Sequence, residues 1–267
     1  MLKALIIAIT VLTWNTERMG GDKKPADNQV LHYLLEQDAD VICLQEVEVI
    51  KNDKYITLQE VKETLGRKYQ YSYIDFSVYN KYRQFGTMVW SRYPLINKQS
   101  IHYETRGNLS NRCDIVVGKD TIRLINNHLE SYNFTAADLA DVDTLRNYEG
   151  FLASLKRIKE KWQRAIPLRN AQARIVRREI DNSPYPVIVV GDFNSIPLSF
   201  AYWHISRGLH DAWSERHPWR WGATCEHRHV GLRIDYILSS DPLVPIRCEI
   251  PNASGSDHKP VVAKIAW

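Results

Sequence analysis

The chain alternates short apolar runs with polar, Gly- or Pro-bearing links, a pattern that calls mainly for strands. Val187 to Val190, four β-branched residues set between Pro184, Pro186 and Pro197, read as a short buried strand that stops at Gly191. Further strands are predicted at Ile9 to Trp14, Asp40 to Glu46, Tyr69 to Asp75, Gly86 to Ser91, Asn97 to His102, Arg112 to Val117, Thr121 to Asn127 and Arg233 to Leu238. The last is Pro260 to Ile265, within the closing stretch Ser256 to Ala266. Links such as Tyr93-Pro94 and Gly118-Lys119-Asp120 are short enough to predict antiparallel pairing.

Helical spacing occurs in three places. Pro25 is placed as a first-turn residue of a helix whose buried face carries Val30, Leu31, Leu34 and Leu35. A second helix covers Thr57 to Leu65 and ends at Gly66. Between Thr135 and Asp181 the pattern is helical and highly charged. Phe151, Leu152, Leu155, Ile158 and Trp162 form one apolar stripe, and Ile175, Val176 and Ile180 a second. Pro167 is expected to break or kink the segment. Lys156, Arg157, Lys159, Lys161 and Arg164 fall largely opposite the first stripe and read as a solvated face.

A length of 267 residues with 44% hydrophobic and 25% charged positions suits one large α/β or β-sandwich domain spanning 1–267, and excludes a disordered chain. The formal charge of +4 tolerates an anionic substrate without marking a nucleic-acid packaging protein. Cys43, Cys113, Cys225 and Cys248 show no paired spacing, so they are expected as reduced, structural thiols with no zinc site. The apolar Met1 to Leu12 is too short to span a bilayer, for which ~20 residues are needed. It reads as a lead-in to the first core strand, with the stub of an upstream membrane segment as the alternative. A soluble domain is expected, in the cytoplasm by preference or as the catalytic part of an anchored or exported protein. Trp203, Trp213, Trp219 and Trp221 cluster between two strands; core packing is expected for most of them, a stacking surface for the rest.

Polar residues close these strands repeatedly. Asn15 follows Leu12-Thr13-Trp14, Glu46 follows Val41 to Gln45, and His128 follows Leu124 to Asn127. Asp192 and Asn194 follow Gly191, Asp235 lies inside an apolar strand, and Ser256-Asp257-His258 precedes the last strand. Each unpaired buried polar group costs about 1–3 kcal/mol, so pairing among the six endings, and with a metal, is the simpler account. Glu46, with no Cys or His cluster nearby, suits a hard cation such as Mg²⁺ or Mn²⁺, assisted by Asp257 or Glu17. His258 can stabilise or protonate a departing oxyanion, with Asp235 orienting it. Asp192 and Asn194, two apart and on one face if extended, can take a proton from a water and aim it. His128 and Asn15 can donate to non-bridging oxygens. Together these roles describe metal-assisted hydrolysis of a phosphate ester by in-line attack of water.

Thr13-Trp14-Asn15, Leu44-Gln45-Glu46-Val47, Asn127-His128-Leu129, Gly191-Asp192-Phe193-Asn194, Arg233-Ile234-Asp235-Tyr236-Ile237 and Ser256-Asp257-His258 resemble, in order, the signatures of the endonuclease/exonuclease/phosphatase superfamily. Gly86 to Leu95 is similar to the family's central strand and its Ser-Arg-Tyr-Pro turn. The resemblance implies a four-layer α-β-β-α sandwich of two mainly antiparallel sheets, with the site at one end. It also implies Glu46 as the main Mg²⁺ ligand and an Asp235–His258 pair. Asn127 to Ser131 is similar to the His-Leu-Glu-Ser stretch of the tyrosyl-DNA phosphodiesterase branch, and Glu17 stands where that branch carries an Asp. The overall spacing is more similar to uncharacterised bacterial members. A monomeric phosphodiesterase acting on nucleic acid is expected, with no protein partner. A phospholipid or inositol-phosphate hydrolase and a catalytically silent binding module are the alternatives.

Overall fold

The computed structural model describes residues 7–21, 24–50, 55–105, 107–134, 148–227 and 230–267. Six strands make one sheet, in the spatial order Val244–Glu249 (β13), Val261–Ala266 (β14), Ala8–Asn15 (β1), Val41–Ile50 (β2), Arg83–Ser91 (β4) and Tyr71–Tyr79 (β3). Six more make the other: Leu95–His102 (β5), Leu109–Val117 (β6), Asp120–His128 (β7), Val187–Asp192 (β8), Asp235–Ser239 (β12) and His210–Asp211 (β9). Cys225–His227 (β10) and Val230–Leu232 (β11) form a separate hairpin. Pairing is antiparallel except at β1–β2 and β7–β8. Each parallel pair is bridged by a helix, as a crossover requires: Gln29–Glu36 (α1) for the first and Tyr148–Asp181 (α3) for the second.

Three apolar seams hold four layers together. Val11, Val41, Cys43, Val89, Ile115, Leu124, Ile188, Val190, Ile237 and Ala263 fill the space between the sheets. Leu12, Trp14, Ile42, Leu44, Met88 and Trp90 pack the outer face of the first sheet on α1 and on Leu58–Leu65 (α2). Ile125, Val187, Val189 and Leu238 pack the other sheet on α3 and on Phe200–Ser206 (α4). β8 therefore buries both faces, which is why its sequence is an unbroken β-branched run rather than an alternating one. The predicted four-layer α-β-β-α sandwich is the observed one.

Along the inner face of the strands, apolar residues give way to polar ones toward one end. In β1 the inward series is Ile9, Val11, Thr13, Asn15; in β7 it is Ile122, Leu124, Asn126, His128; in β8 it is Ile188, Val190, Asp192. Buried amides and hydroxyls tie the sheets at this level. Gln45 Nε2 donates to Asn126 Oδ1 at 2.7 Å and lies 3.0 Å from Thr13 Oγ1, and Asn111 Nδ2 donates to Thr87 Oγ1 at 2.7 Å. Gly191 makes the close approach of β8 to β7 possible. Its φ is +119°, and a Cβ there would lie 2.0 Å from the Asn127 carbonyl oxygen.

Several elements depart from expectation. Pro25 opens a single 3₁₀ turn, Pro25–Asp27, and α1 starts afterwards, capped by Asn28, whose Oδ1 accepts from the Leu31 N–H. The helix α3 continues through Pro167. One proline removes one hydrogen bond, and the long flanks anchored at Ala165, Ala173 and Val176 keep the helix docked. Leu152, Leu155 and Trp162 are 41–49% exposed, so the first predicted stripe does not seal against the core. Residues 135–147 and the side chain of Phe151 lie outside the described residues, as do Met1 to Ile6 of the apolar lead-in. Trp213 packs against the inter-sheet core, whereas Trp203, Trp219 and Trp221 are exposed, so core packing is not the rule for that cluster. All four cysteines are free and buried. No described helix is long and apolar enough to cross a membrane.

The amide layer yields a test. Gln45→Leu strands the buried carboxamide of Asn126 and should cost about 1–3 kcal/mol in urea unfolding. Adding Asn126→Leu should restore part of the loss, because both partners are then apolar; strict additivity would refute the coupling.

Candidate active site

The polar ends of β1, β7, β8 and β12 converge on one rim of the sandwich with Glu46, which lies inside β2 and not at its end as predicted, since that strand continues to Ile50. By alternation Glu46 should share the outward face of Ile42 and Leu44. A β-bulge between Leu44 and Val47 intervenes, and Glu46 takes φ +50°, turning its carboxylate into the seam. There Oε1 accepts from Asn15 Nδ2 at 3.1 Å and lies 3.3 Å from His128 Nε2. Burial alone would raise the Glu46 pKa, but His128, the Asn15 amide and His258 outweigh it and hold it down to about 2.

Asn15 bridges the sheets. The same Nδ2 donates to Asp192 Oδ2 at 3.0 Å, and Oδ1 accepts from the Glu17 N–H at 3.2 Å. Asp192 and Asn194 do come together, though not through extended geometry: β8 ends at Asp192 and Asn194 has φ +49°. The Asn194 backbone N–H donates to Asp192 Oδ1 at 2.7 Å. Its side-chain amide donates to Asp192 Oδ2 and to the Leu129 carbonyl, at 3.1 and 3.0 Å. The amide hydrogens of Asn194 thus hold the carboxylate in place. Burial and the neighbouring Asp235 push the Asp192 pKa up to about 6.

Opposite this group, His258 Nδ1 donates to Asp235 Oδ2 at 2.9 Å. Burial works against charge on His258, but Asp235 beside it, together with Cys225 and Asp192, holds its pKa well above the usual imidazole value. Arg233, two residues before Asp235, pairs instead with Asp211 at 2.8 Å. The His258 loop is locked to β1: Trp14 Nε1 donates to the His258 carbonyl at 2.9 Å and Ser256 Oγ to the Asn15 carbonyl at 2.7 Å. His128 also rises in pKa, since Glu46 and Asp192 more than offset its burial.

The carboxylates offered to a cation are arranged less tightly. Glu17, at φ +41°, opens a left-handed turn running to Gly20, and its Oε2 accepts from the Asp257 backbone N–H at 3.0 Å. Burial and Asp257 raise its pKa. Glu17, Glu46 and Asp257 do not close to within 4.8 Å as a trio; the closer groups are Glu46, His128 and Asp192, then Asp192, Asp235 and His258, and Cys225, Asp257 and His258. Two buried polar atoms here make no aligned hydrogen bond: Asp235 Oδ1, and His128 Nε2, whose neighbour is the Glu46 carboxylate at 3.3 Å. Ionised carboxylates beside orphaned polar atoms suit a site that takes a cation and an anionic ligand together.

Sequence reasoning missed the outer supports. Glu130 is pinned by α3: its N–H donates to Gln172 Oε1 at 2.7 Å, and its carboxylate pairs with Arg164 at 3.1 Å. Glu48, two residues past Glu46 and 4% exposed, holds Arg18 at 3.4 Å and Arg83 at 3.0 Å on the rim. The β3–β4 hairpin beside them exposes Tyr82, and Phe85 packs edge-on against His128 with ring centres 6.4 Å apart. A carboxylate two residues beyond a strand-end ligand was the available signal for Glu48; nothing in the spacing pointed to Gln172.

The model of the Endonuclease/Exonuclease/phosphatase family matches residues 12–258. Among solved structures, the fold is similar to that of a humanized D. rerio TDP2 carrying 14 mutations, at 16% identity and TM-score 0.65, covering 97% of this chain and 98% of that one. A truncated Caenorhabditis elegans TDP2 is similar at 20% identity and TM-score 0.64, covering 98% of each chain. ANGEL2, described as a 2',3'-cyclic phosphatase, is similar at 16% identity and TM-score 0.65, covering 98% of this chain and 95% of that one. At these identities the likeness is one of fold. Comparison with curated sequences finds no match.

The Asp235–His258 pair can be tested without turnover. NMR titration of the metal-free protein should show His258 titrating well above the ordinary 6.5, and Asp235→Asn should bring it down. Because the folded value is raised, the pair's stabilisation is fully present below about pH 6.5 and is lost as pH rises through the folded value. An unshifted His258 would refute the pairing.

Proposed function

As this chain belongs to the endonuclease/exonuclease/phosphatase family, we propose that it hydrolyses phosphodiester bonds, with nucleic acid as substrate and Mg²⁺, or Mn²⁺ in its place, as cofactor. The observation that carries the reading is the hydrogen-bonded series Glu46–Asn15–Asp192 across the seam, faced by the Asp235–His258 pair. Glu46 and Asp257 would hold the cation, with Glu17 steadying Asp257 through its backbone. When bound, the cation supplies Lewis-acid polarisation of a phosphoryl oxygen.

The protein groups do the rest. Asp192, held by Asn15 and Asn194 and basic for a carboxylate, takes the proton of a water as its oxygen bonds to phosphorus. The opposite P–O bond breaks, and protonated His258, its Nδ1 fixed by Asp235, gives its Nε2 proton to the departing oxygen. His128 Nε2, which has no aligned acceptor of its own, donates to a non-bridging oxygen with Asn15 nearby. The choice of nucleic acid is supported by Arg18 and Arg83 on the rim and exposed Tyr82 beside them, cations for phosphates and a ring for a base. ANGEL2, described as a 2',3'-cyclic phosphatase, makes 2',3'-cyclic phosphates one of the first substrates to try.

Purified protein with Mg²⁺ should cleave bis-p-nitrophenyl phosphate, and Asp192→Asn or His258→Ala should each lower kcat by roughly 10²–10⁴. Activity that survives both changes would sink the assignment. A panel of plasmid, single-stranded DNA, RNA, a nucleoside 2',3'-cyclic phosphate, sphingomyelin and inositol phosphates fixes the substrate; turnover confined to the last two would overturn the nucleic-acid reading. With a nucleic-acid substrate, Arg83→Ala and Tyr82→Ala should raise KM by roughly three- to tenfold while kcat holds, and Arg83→Ala should flatten the salt dependence by about one unit of slope.

A further inference from the structure

Cys225 has no part in the hydrolysis described above, yet it lies against its proton donor. β10 runs antiparallel beside residues 257–259. The Glu226 N–H donates to the Asp257 carbonyl at 3.4 Å and the Lys259 N–H to the Thr224 carbonyl at 2.6 Å. Cys225 and His258 are therefore directly opposed as a non-hydrogen-bonded pair, the arrangement that brings side chains closest. The ligand atoms of Cys225, Asp257 and His258 all lie within 4.8 Å of one another, with His258 Nε2 4.0 Å from Asp257 Oδ1.

We propose that Cys225, His258 and Asp257 form a Zn²⁺-selective site that shares Asp257 with the proposed Mg²⁺ position and whose occupation switches the enzyme off. Its softness distinguishes it. The other two clusters of this kind among the described residues contain only carboxylates and imidazoles, whereas this one adds a sulfur, the ligand that favours Zn²⁺ over Mg²⁺. Zn–S and Zn–N bonds of roughly 2.3 and 2.0 Å require the ligand atoms to draw together by about 1 Å, within reach of a cross-strand pair. His258 is already prepared: Asp235 holds Nδ1 and leaves Nε2 for a metal, the carboxylate–histidine–zinc arrangement. Cys225 and His258 are buried, while the Asp257 side chain is 50% exposed and gives an ion its way in.

Binding releases the thiol proton of Cys225 and the Nε2 proton of His258 to solvent, and both atoms bond zinc instead. The proton lost from His258 is the one needed by the leaving oxygen, so loss of activity follows from the proposed catalytic role of His258, while zinc binding itself does not depend on it.

The full-length, chelator-stripped protein is titrated with Co²⁺ and then Zn²⁺. A thiolate-to-cobalt charge-transfer band should form at one equivalent and vanish when Zn²⁺ displaces Co²⁺. Cys225→Ala should abolish the band and weaken Zn²⁺ binding roughly 100-fold, Asp257→Asn should weaken it less, and Cys248→Ala should keep the band. If Cys225→Ala is insoluble, Cys225→Ser carries the same comparison. In parallel, the ratio of Mg²⁺-supported turnover with and without Zn²⁺ should fall with occupancy in the wild type and stay near one in Cys225→Ala. No thiolate band in the wild type, or equal zinc affinity in Cys225→Ala, overturns the site; a filled site with undiminished turnover overturns the switch. Should the protein cleave no phosphoester at all, the hydrolase reading fails, and the cobalt spectrum still decides the site.

Discussion

The inner face shared by the two sheets is the constraint on which everything else rests. Two sheets pack face to face only if what lies between them is apolar or satisfied. Over most of the seam Val, Ile, Leu and Cys meet that condition. Toward one end it is met by amides and hydroxyls that reach across, Gln45 to Asn126 and Asn111 to Thr87. At the rim it is met only in part, leaving Asp235 Oδ1 and His128 Nε2 without an aligned hydrogen bond, the latter beside the Glu46 carboxylate. The site is thus the place where the packing rule runs out, with the amide layer lying between it and the apolar core. That layer also fixes the relative height of β1 and β8, so Asn15 can meet Glu46 and Asp192 at once.

Crowding several carboxylates and two imidazoles at one rim would be ruinous if all shared one environment. They do not. Glu46 sits against the Asn15 amide and the His128 and His258 imidazoles, which hold its pKa down to about 2, while Asp192, buried near Asp235, is pushed up to about 6. Two acids of one chemical kind are thereby split, one held ionised and the other with its pKa raised, the division that the proposed proton transfer to Asp192 uses. Backbone strain is collected in the same place: Glu17, Arg18, Met19, Glu46 and Asn194 all have positive φ. For Glu46 and Asn194 the strained conformation itself aims the side chain.

Those local reversals mark the limit of what could be read from residues alone. The strands were legible because both-face burial and alternation leave different apolar patterns, and the six polar endings were legible as a set. Which way each ending points was not, since alternation fails at a bulge and at a left-handed residue, as at Glu46 and Asn194. β13 escaped notice because Pro245 argues against a strand; it is tolerated there because β13 is an edge, with a register shift between Pro245 and Arg247. The apolar stripe on the first half of α3 was read as a buried face but stays largely exposed, because burial depends on what packs opposite and not on periodicity. The meeting of Cys225 with His258 had no spacing to betray it, being a cross-strand contact between segments 33 residues apart.

Chemistry and selectivity are set by different parts of this fold. The groups proposed to move protons sit on strand ends of the two main sheets or, like His258, are clamped to one: the Trp14 indole and the Ser256 hydroxyl fasten its loop to β1. Such groups can be held to the fraction of an ångström that proton transfer demands. The groups proposed to recognise a substrate, Arg18, Arg83 and Tyr82, lie on a turn and the β3–β4 hairpin, and the two arginines are attached to the core through one buried carboxylate, Glu48. Removing that carboxylate would release both arginines while leaving the Asp192 and His258 contacts in place, so Glu48 links the sheet carrying the proposed proton-transfer groups to the rim proposed to contact the substrate.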